Sequence, residues 1–421
     1  MKKCISCKKS ISFYAKRCKI CSNKSRIGIK MKINKKLLWI YLLSSAIYFT
    51  QGIEGLPGLS LFFYLKEKLH LDPSTIMYLG LITSIAWGIK PLYGYLCDNY
   101  LTKKKWILIS LLGSLGICIY LGLSSFLVLP ILIILMSTMS LTTAIRDVAV
   151  DGIMCVDGKE TNSCDKIQAI QWTSITIAGI LVSLAGGYIA DHFNYRIAYL
   201  CLLPVYLIII RIVLRYRTTV QENRTHVHIL ETICSYKELF TNKPFLFACL
   251  FIFLYNFAPG FGTPLMFIER DVFKWSGTFM GVLGAITSAV GIIGSVLYFK
   301  FGRKINIEKC LFWSVFLGAI TTLCYLYFTP ISAIIYGILF SVIGMFIFLN
   351  IMTFMAQSTI PGKEATSFAL LCSVNNLAGT ASTFAGAYLF PKIGLQSLIV
   401  ISALTSFICL PLIKKLEIKN G

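Results

Sequence analysis

Two stretches decide the reading of this chain: QGIEGLPGLSLFFYLKEKL, residues 51–69, and GIKPLYGYLCDNY, residues 88–100. Each is a hydrophobic segment with polar or helix-breaking residues set at membrane depth. Gln51, Glu54 and Pro57 interrupt the first; Lys90 and Pro91 interrupt the second. An ionisable group inside a bilayer-length segment is costly, so it needs a partner or a water-filled cavity. A solute path between helices accounts for several such groups at once.

The rest of the composition fits a membrane solvent. Of 421 residues, 56% are hydrophobic and 14% are charged, against about 25% charged in soluble domains. The mean hydropathy is +0.74. Apolar residues come in runs of about twenty between short polar breaks, the length that crosses a bilayer as a helix. A water-soluble fold would expose too much apolar surface.

The formal charge of +22 is uneven, with 13 Lys or Arg and no acid in residues 1–36. A basic arm directly before a span predicts retention in the cytoplasm rather than nucleic-acid binding. The first apolar run starts at Leu37, behind that arm, and is too long for a signal-peptide core. Eleven of the fifteen Cys lie beyond residue 90, mostly in apolar segments, and read as small packing residues.

Residues 1–25 read as a separate unit. Cys4, Cys7, Cys18 and Cys21 form two C-x2-C pairs split by ten residues. That spacing suits a tetrahedral thiolate site for a structural Zn²⁺ ion, each pair closing one knuckle. The stretch resembles the short zinc ribbons at the ends of some bacterial membrane proteins. Four unmetallated thiols are the alternative. Residues 26–36 follow as a basic linker.

Twelve spans are predicted, near 37–64, 74–97, 105–125, 129–155, 166–190, 195–215, 244–268, 277–300, 309–328, 330–356, 364–389 and 394–414. The turns after spans 2 and 8 and the C-terminal tail are basic, while those after spans 3 and 9 carry no Lys or Arg. This bias predicts a multi-pass cell-membrane protein with both termini in the cytoplasm. The longest break, 216–243, divides residues 37–215 from 244–415, six spans each. Its later part has helical periodicity suited to the inner membrane surface.

The halves echo one another. Gly186-Gly187-Tyr188 recurs 200 residues on as Gly386-Ala387-Tyr388, and Tyr48, Gly55 and Pro57 match Tyr255, Gly262 and Pro264 at an offset of 207. Duplicated six-helix halves around a midplane site are the major facilitator plan. Gly94 and Asp98, followed by Lys103, Lys104 and Lys105, resemble the loop 2–3 signature of that superfamily. There the glycine lets helices approach and the acid and bases act in gating. GGYIADHFNYR, from Gly186, resembles the end of its span 5.

A narrower resemblance is carried by QGIEGL…FYLKEKLHLDPS, IKPLYGYLCD and DVAVD (Asp147–Asp151). Together they look like the folate–biopterin transporter family, well over spans 1–4 and loosely beyond. The resemblance implies transport of pterins or folates, driven by protons. Glu54 is not part of the motif.

The residues carry a reading of their own. Asp147 and Asp151 are four apart and share a helix face. Counted from the inner end, Asp147 and Lys90 lie at a common depth of about 12 Å. If spans 2 and 4 face each other, Lys90 can pair with either acid, and Arg146 can face another acid or the solute. Two readings stand for Lys90, Asp98, Arg146, Asp147 and Asp151: a permanent charge lock, or solute and proton contact. Glu54 reads as a solute or proton site, or as a cap on local backbone. Gln51 and Asn256 belong to the expected path. Asn350, Gln357, Asn375 and Asn376 read first as interhelical glue. Tyr48, Phe63, Trp87 and Trp172 are candidates to stack on a flat ring. Asp191 and His192 read as a solvated loop pair.

No phosphate-binding GKS/T, HExxH or GxSxG motif exists in the chain, which argues against an ATP-driven pump or a hydrolase. The expectation is therefore an all-α, two-bundle secondary transporter. It should be monomeric, work in a lipid bilayer on a small organic solute, have no nucleic-acid partner and not be an enzyme. A carrier of another organic anion and a non-transporting sensor that signals through the ribbon are the alternatives. The transport reading expects the buried ions of spans 1, 2 and 4 to meet a wet crevice between the halves.

Overall fold

The computed structural model describes residues 2–3, 10–11, 35–124, 128–160, 163–216, 237, 239, 241–301, 306–360 and 364–416. Two short strands, β1 (Lys2–Lys3) and β2 (Ser10–Ile11), pair antiparallel. The four N-terminal cysteines lie outside the described residues, as does most of the predicted 216–243 linker.

The remaining described elements are helical. Unbroken helices form span 3 (Lys103–Leu123), span 4 (Leu129–Glu160), span 5 (Cys164–His192) and span 6 (Tyr195–Arg215). The same holds for span 8 (Gly277–Lys300), span 9 (Ile307–Cys324) and span 10 (Pro330–Gln357). Three spans are broken. Span 1 runs Lys35–Ile53, a turn, then Gly58–Phe63 and a π-helical Tyr64–Lys68. Span 2 bends by 43° between Pro73–Gly88 and Lys90–Asn99, and span 7 is Lys243–Asn256 plus Gly262–Asp271. Spans 11 and 12 run on as Glu364–Ser406, changing direction at Gly394, whose φ of 74° is a conformation glycine adopts without strain.

By length and apolarity, eight described helices can cross a membrane, or nine if the bent pair is one span. The breaks in spans 1 and 7 and the fused pair 11–12 account for the difference from twelve. Polar N-caps set the helix starts. Asp72 caps span 2, Thr102 span 3, Asn194 span 6, Asn242 span 7, Ser276 span 8 and Thr329 span 10. In the turn before span 2, bonds from the Thr75 hydroxyl and from the amides of Thr75 and Ser74 hold the Asp72 carboxyl below its usual range.

Each half has its own hydrophobic core. One gathers Leu43, Leu111, Val150, Ile167 and Leu202; the other gathers Phe245, Leu311, Phe354, Leu371 and Cys409. The halves meet along a seam where span 5 packs on span 8 and span 2 on span 11. Those pairings exchange under a shift of six spans, as a duplicated fold requires.

Candidate functional site

The rim that bears the span 1–2 and span 7–8 turns, here the distal rim, is closed. Gly187 and Gly281 cross without side chains between them: a Cβ on Gly281 would meet the Ser183 carbonyl oxygen at 2.2 Å and the Gly187 Cα at 2.8 Å. Asp191 accepts from the amides of Gly277 (2.7 Å) and Thr278 (2.6 Å), so it caps span 8 from the other half. The predicted solvated pair with His192 is not its role. Lys66 pairs with Asp271, and Arg270 Nε donates to Glu67 at 2.7 Å. Arg270 also lies 4.1 Å from the Phe63 ring centre. Both ion pairs join the halves. Among the described residues no ion pair joins them at the opposite, terminal rim.

The repeated glycine motif closes on the helix breaks. A Cβ on Gly186 would meet the Leu56 carbonyl oxygen at 3.0 Å, and one on Gly386 would meet the Gly260 carbonyl oxygen at 1.9 Å. The freed backbone of span 7 finds partners on span 11. Gly260 N donates to the Ser382 carbonyl at 3.0 Å, and the Ser382 hydroxyl donates to the Ala258 carbonyl. Irregular backbone at membrane depth is tolerated where it is satisfied like this.

Toward the terminal rim the predicted ions sort into two sets. The first lies on the seam. Lys90 Nζ donates to Asp147 Oδ2 at 2.6 Å and sits 4.7 Å from the Trp87 ring centre. Asp147 is almost fully buried. Asp151 accepts from the Tyr48 hydroxyl at 2.9 Å and from Gln171 Nε2 at 3.3 Å. The second half meets this set from spans 10 and 11. Asn376 donates to the Trp87 carbonyl at 3.1 Å, and Phe348 packs edge-on against Trp172 at 5.4 Å. Trp172 also packs edge-on against Tyr48 at 6.5 Å.

The second set lies inside the first half. Arg146, fully buried, pairs through Nη2 with Glu54 and reaches Ser114 at 3.5 Å. Glu54 also accepts from the Tyr206 hydroxyl at 2.5 Å and from Thr143 at 2.7 Å. Spans 1, 3, 4 and 6 are thereby tied together. Glu54 caps no local backbone, one of the two roles open to it. Arg146 and Asp147 are neighbours in sequence and so point to different faces of span 4.

The remaining expected residues are placed more simply. Lys103 pairs with Asp98 at 3.1 Å, and its aliphatic stem lies against Gly152 of span 4. Lys104 donates to the carbonyls of Leu214 (2.9 Å) and Tyr216 (2.6 Å) and so caps span 6. Gly94 permits no close approach; the space where its Cβ would stand is open. Asn256 donates to the Ile252 carbonyl of its own helix at 3.0 Å, and Gln51 Oε1 is buried without a partner. No group of metal-ligating side chains occurs among the described residues.

A cavity of about 420 Å³ opens along the seam below the distal rim. Gly55, Leu56, Ser183, Glu269, Trp275 and Tyr325 are in its wall; Lys90, Asp147 and Asp151 are not. This cavity and the ion set are thus separate. Ser183 lies twelve residues beyond Gln171 on span 5, about 18 Å along the helix. Sequence reasoning did not single out Tyr206, Thr143, Gln171 or Glu269. Glu269 alone gave a signal, an acid one residue past a predicted span.

The comparisons with known proteins fit this geometry. The BT1 family profile matches residues 51–418. The folate-biopterin transporter of Synechocystis sp. is 26% identical over 402 residues, 89% of this chain and 81% of its own length. Folate transporter 1 of Plasmodium falciparum is 26% identical over 410 residues, covering 89% and 79%. Among solved structures, the nucleoside transporter NupG superposes with a TM-score of 0.66 at 15% identity, covering 92% of this chain and all of that one. A D-xylose-proton symporter gives 0.69 at 11% identity, covering 90% and 98%. Both likenesses are of fold.

Proposed function

Because this chain belongs to the BT1 family, the folate–biopterin transporters, we propose that it carries a folate- or pterin-like solute across the membrane by alternating access. The observation that carries the reading is the Lys90–Asp147 pair with Asp151, held on the seam between two halves whose joining ion pairs, among the described residues, lie at one rim. A buried pair is stable while both partners are present and costly once one is lost. A proton on Asp147, or an anionic solute beside Lys90, replaces one partner. That exchange couples solute or proton arrival to the contacts of spans 2 and 4, and lets the seam rock.

The Lys and Arg of the terminal rim support a cytoplasmic position for it. The closed distal rim then faces outward and the conformation is inward-facing. Two roles follow from the geometry. Lys90, Asp147 and Asp151 serve coupling, whereas Glu54 and Arg146 lock the first bundle. The four N-terminal cysteines hold a structural Zn²⁺ whose loss leaves uptake unchanged; zinc content of wild type against Cys4→Ser/Cys18→Ser reads this directly.

The test of transport is uptake of labelled folate and biopterin into proteoliposomes with and without an inward proton gradient. Saturable uptake that the gradient stimulates is expected. Wild-type rates in Lys90→Ala and Asp147→Asn at matched reconstitution would remove the coupling role. Uptake of an unrelated anion in place of both pteridines would replace the substrate class.

A further inference from the structure

Glu269 is an acid on the seam with no hydrogen-bond or ion-pair partner for its carboxylate among the described residues. Its side chain is in the wall of the 420 Å³ cavity. The neighbouring cations are committed elsewhere. Arg270 is bound to Glu67 and donates to the Trp275 carbonyl at 3.1 Å, while Lys66 is bound to Asp271. Asp191, the other acid of this region, is consumed in capping span 8. A carboxylate withdrawn from bulk water and left unmatched is unfavourable unless donors arrive.

The walls state what kind of donor fits. Trp275, Tyr325 and Phe328 present rings to the cavity; Tyr325 and Phe328 lie 5.7 Å apart. Gly55, Gly187 and Gly281 are also in the wall, beside Ser183 and Leu283. The volume lies within the range of about 300–1,000 Å³ that small-molecule sites occupy. The lining comes from both halves, so a ligand held here touches both sides of the seam.

We propose that this cavity binds a flat heteroaromatic ring through Glu269, whose two oxygens accept from a pair of adjacent N–H groups on the ring edge. The 2-amino group and the neighbouring ring N–H of a 2-amino-4-oxo-pyrimidine are such a pair. The aromatic residues cover the ring face. This assignment rests on the pteridine reading above and deepens it. It gives the solute an entry site about 18 Å along span 5 from the Lys90 set.

Calorimetric binding to the purified full-length chain tests it, with biopterin and its analogue bearing oxygen in place of the 2-amino group. The wild type should favour the amino compound by about ten-fold or more, the worth of one charge-assisted bond. Glu269→Gln should lose that preference and Glu269→Asp should keep part of it, both eluting as monodisperse protein. Tyr298→Phe, whose hydroxyl bonds Thr353 away from the cavity, should keep the preference. Undiminished discrimination in Glu269→Gln, or a wild type that binds neither ring, overturns the assignment. If Glu269→Gln does not fold, Trp275→Leu takes its place, and unchanged affinity for the amino compound there overturns the aromatic cover and with it the site. A wild type that binds the amino compound through Glu269 but moves no pteridine into vesicles sinks the transport reading alone.

Discussion

The two halves share a plan but not a chemistry. In the first, span 4 is joined to span 3 by Arg146 on Ser114 and to span 2 by Asp147 on Lys90. In the second, span 10 is joined to span 9 by Asn350 donating to Ser314 at 2.9 Å. Its link to span 8 is Tyr298 donating to Thr353 at 2.6 Å. Ser114 and Ser314 stand 200 residues apart, and Arg146 and Asn350 stand 204 apart. Comparable positions therefore carry ions in one bundle and neutral amide or hydroxyl groups in the other. A neutral bond in hydrocarbon holds helices together whatever the pH or solute. An ion pair holds them only while both charges remain. The first half is built to respond, and the second to serve as the fixed frame.

Breaking the buried ions should separate the halves most sharply. Arg146→Met strands Glu54 in the first core and should cost about 3–5 kcal/mol, seen as a large fall in the midpoint of thermal unfolding and in folded yield. Adding Glu54→Gln should restore most of the loss. The matching change in the second half, Asn350→Leu, should cost only about 1 kcal/mol, since Ser314 keeps its bond to the Cys310 carbonyl. Equal losses in the two halves would end the contrast.

On the seam the effect should fall on transport rather than folding. Lys90→Ala should lower uptake about ten-fold or more, because Asp147 is left buried without its partner, while Tyr298→Phe should stay within about two-fold, having lost one neutral bond. A Tyr298→Phe carrier as slow as Lys90→Ala would make the second half an active partner. The smallest change belongs to the distal rim. Lys66 and Asp271 form a partly exposed pair, so Asp271→Asn should alter stability by less than about 1 kcal/mol, and less still in high salt. A large loss there would show that the rim pairs, not the glycine crossing, hold it shut.

Much of this contrast was readable in the residues. Gly and Pro announced the break in span 1, and the 207-residue offset carried it to span 7. Counting depth from the span ends brought Lys90 and Asp147 level, because helix rise is fixed. Direction around the helix was not readable, since it depends on which neighbours a face meets. Thus Arg146 and Asp147 entered one group and separated in space. Gly94 was read as a contact glycine but faces open space on the helix Lys90–Asn99, because the direction of its face, not composition, decides that. Glu269 drew no notice because an acid at the end of a span is ordinary. Only the cavity beside it, and the commitment of Arg270 elsewhere, make it unusual.

The glycine crossing of spans 5 and 8 has a practical meaning. Because backbone meets backbone at Gly187 and Gly281, no rotamer can adjust there, and a single added methyl acts as a wedge. The balance between the two faces of the carrier can thus be tipped by one carbon atom, placed far along span 5 from the Lys90–Asp147 pair. This gives a handle for capturing the opposite state without touching the coupling ions.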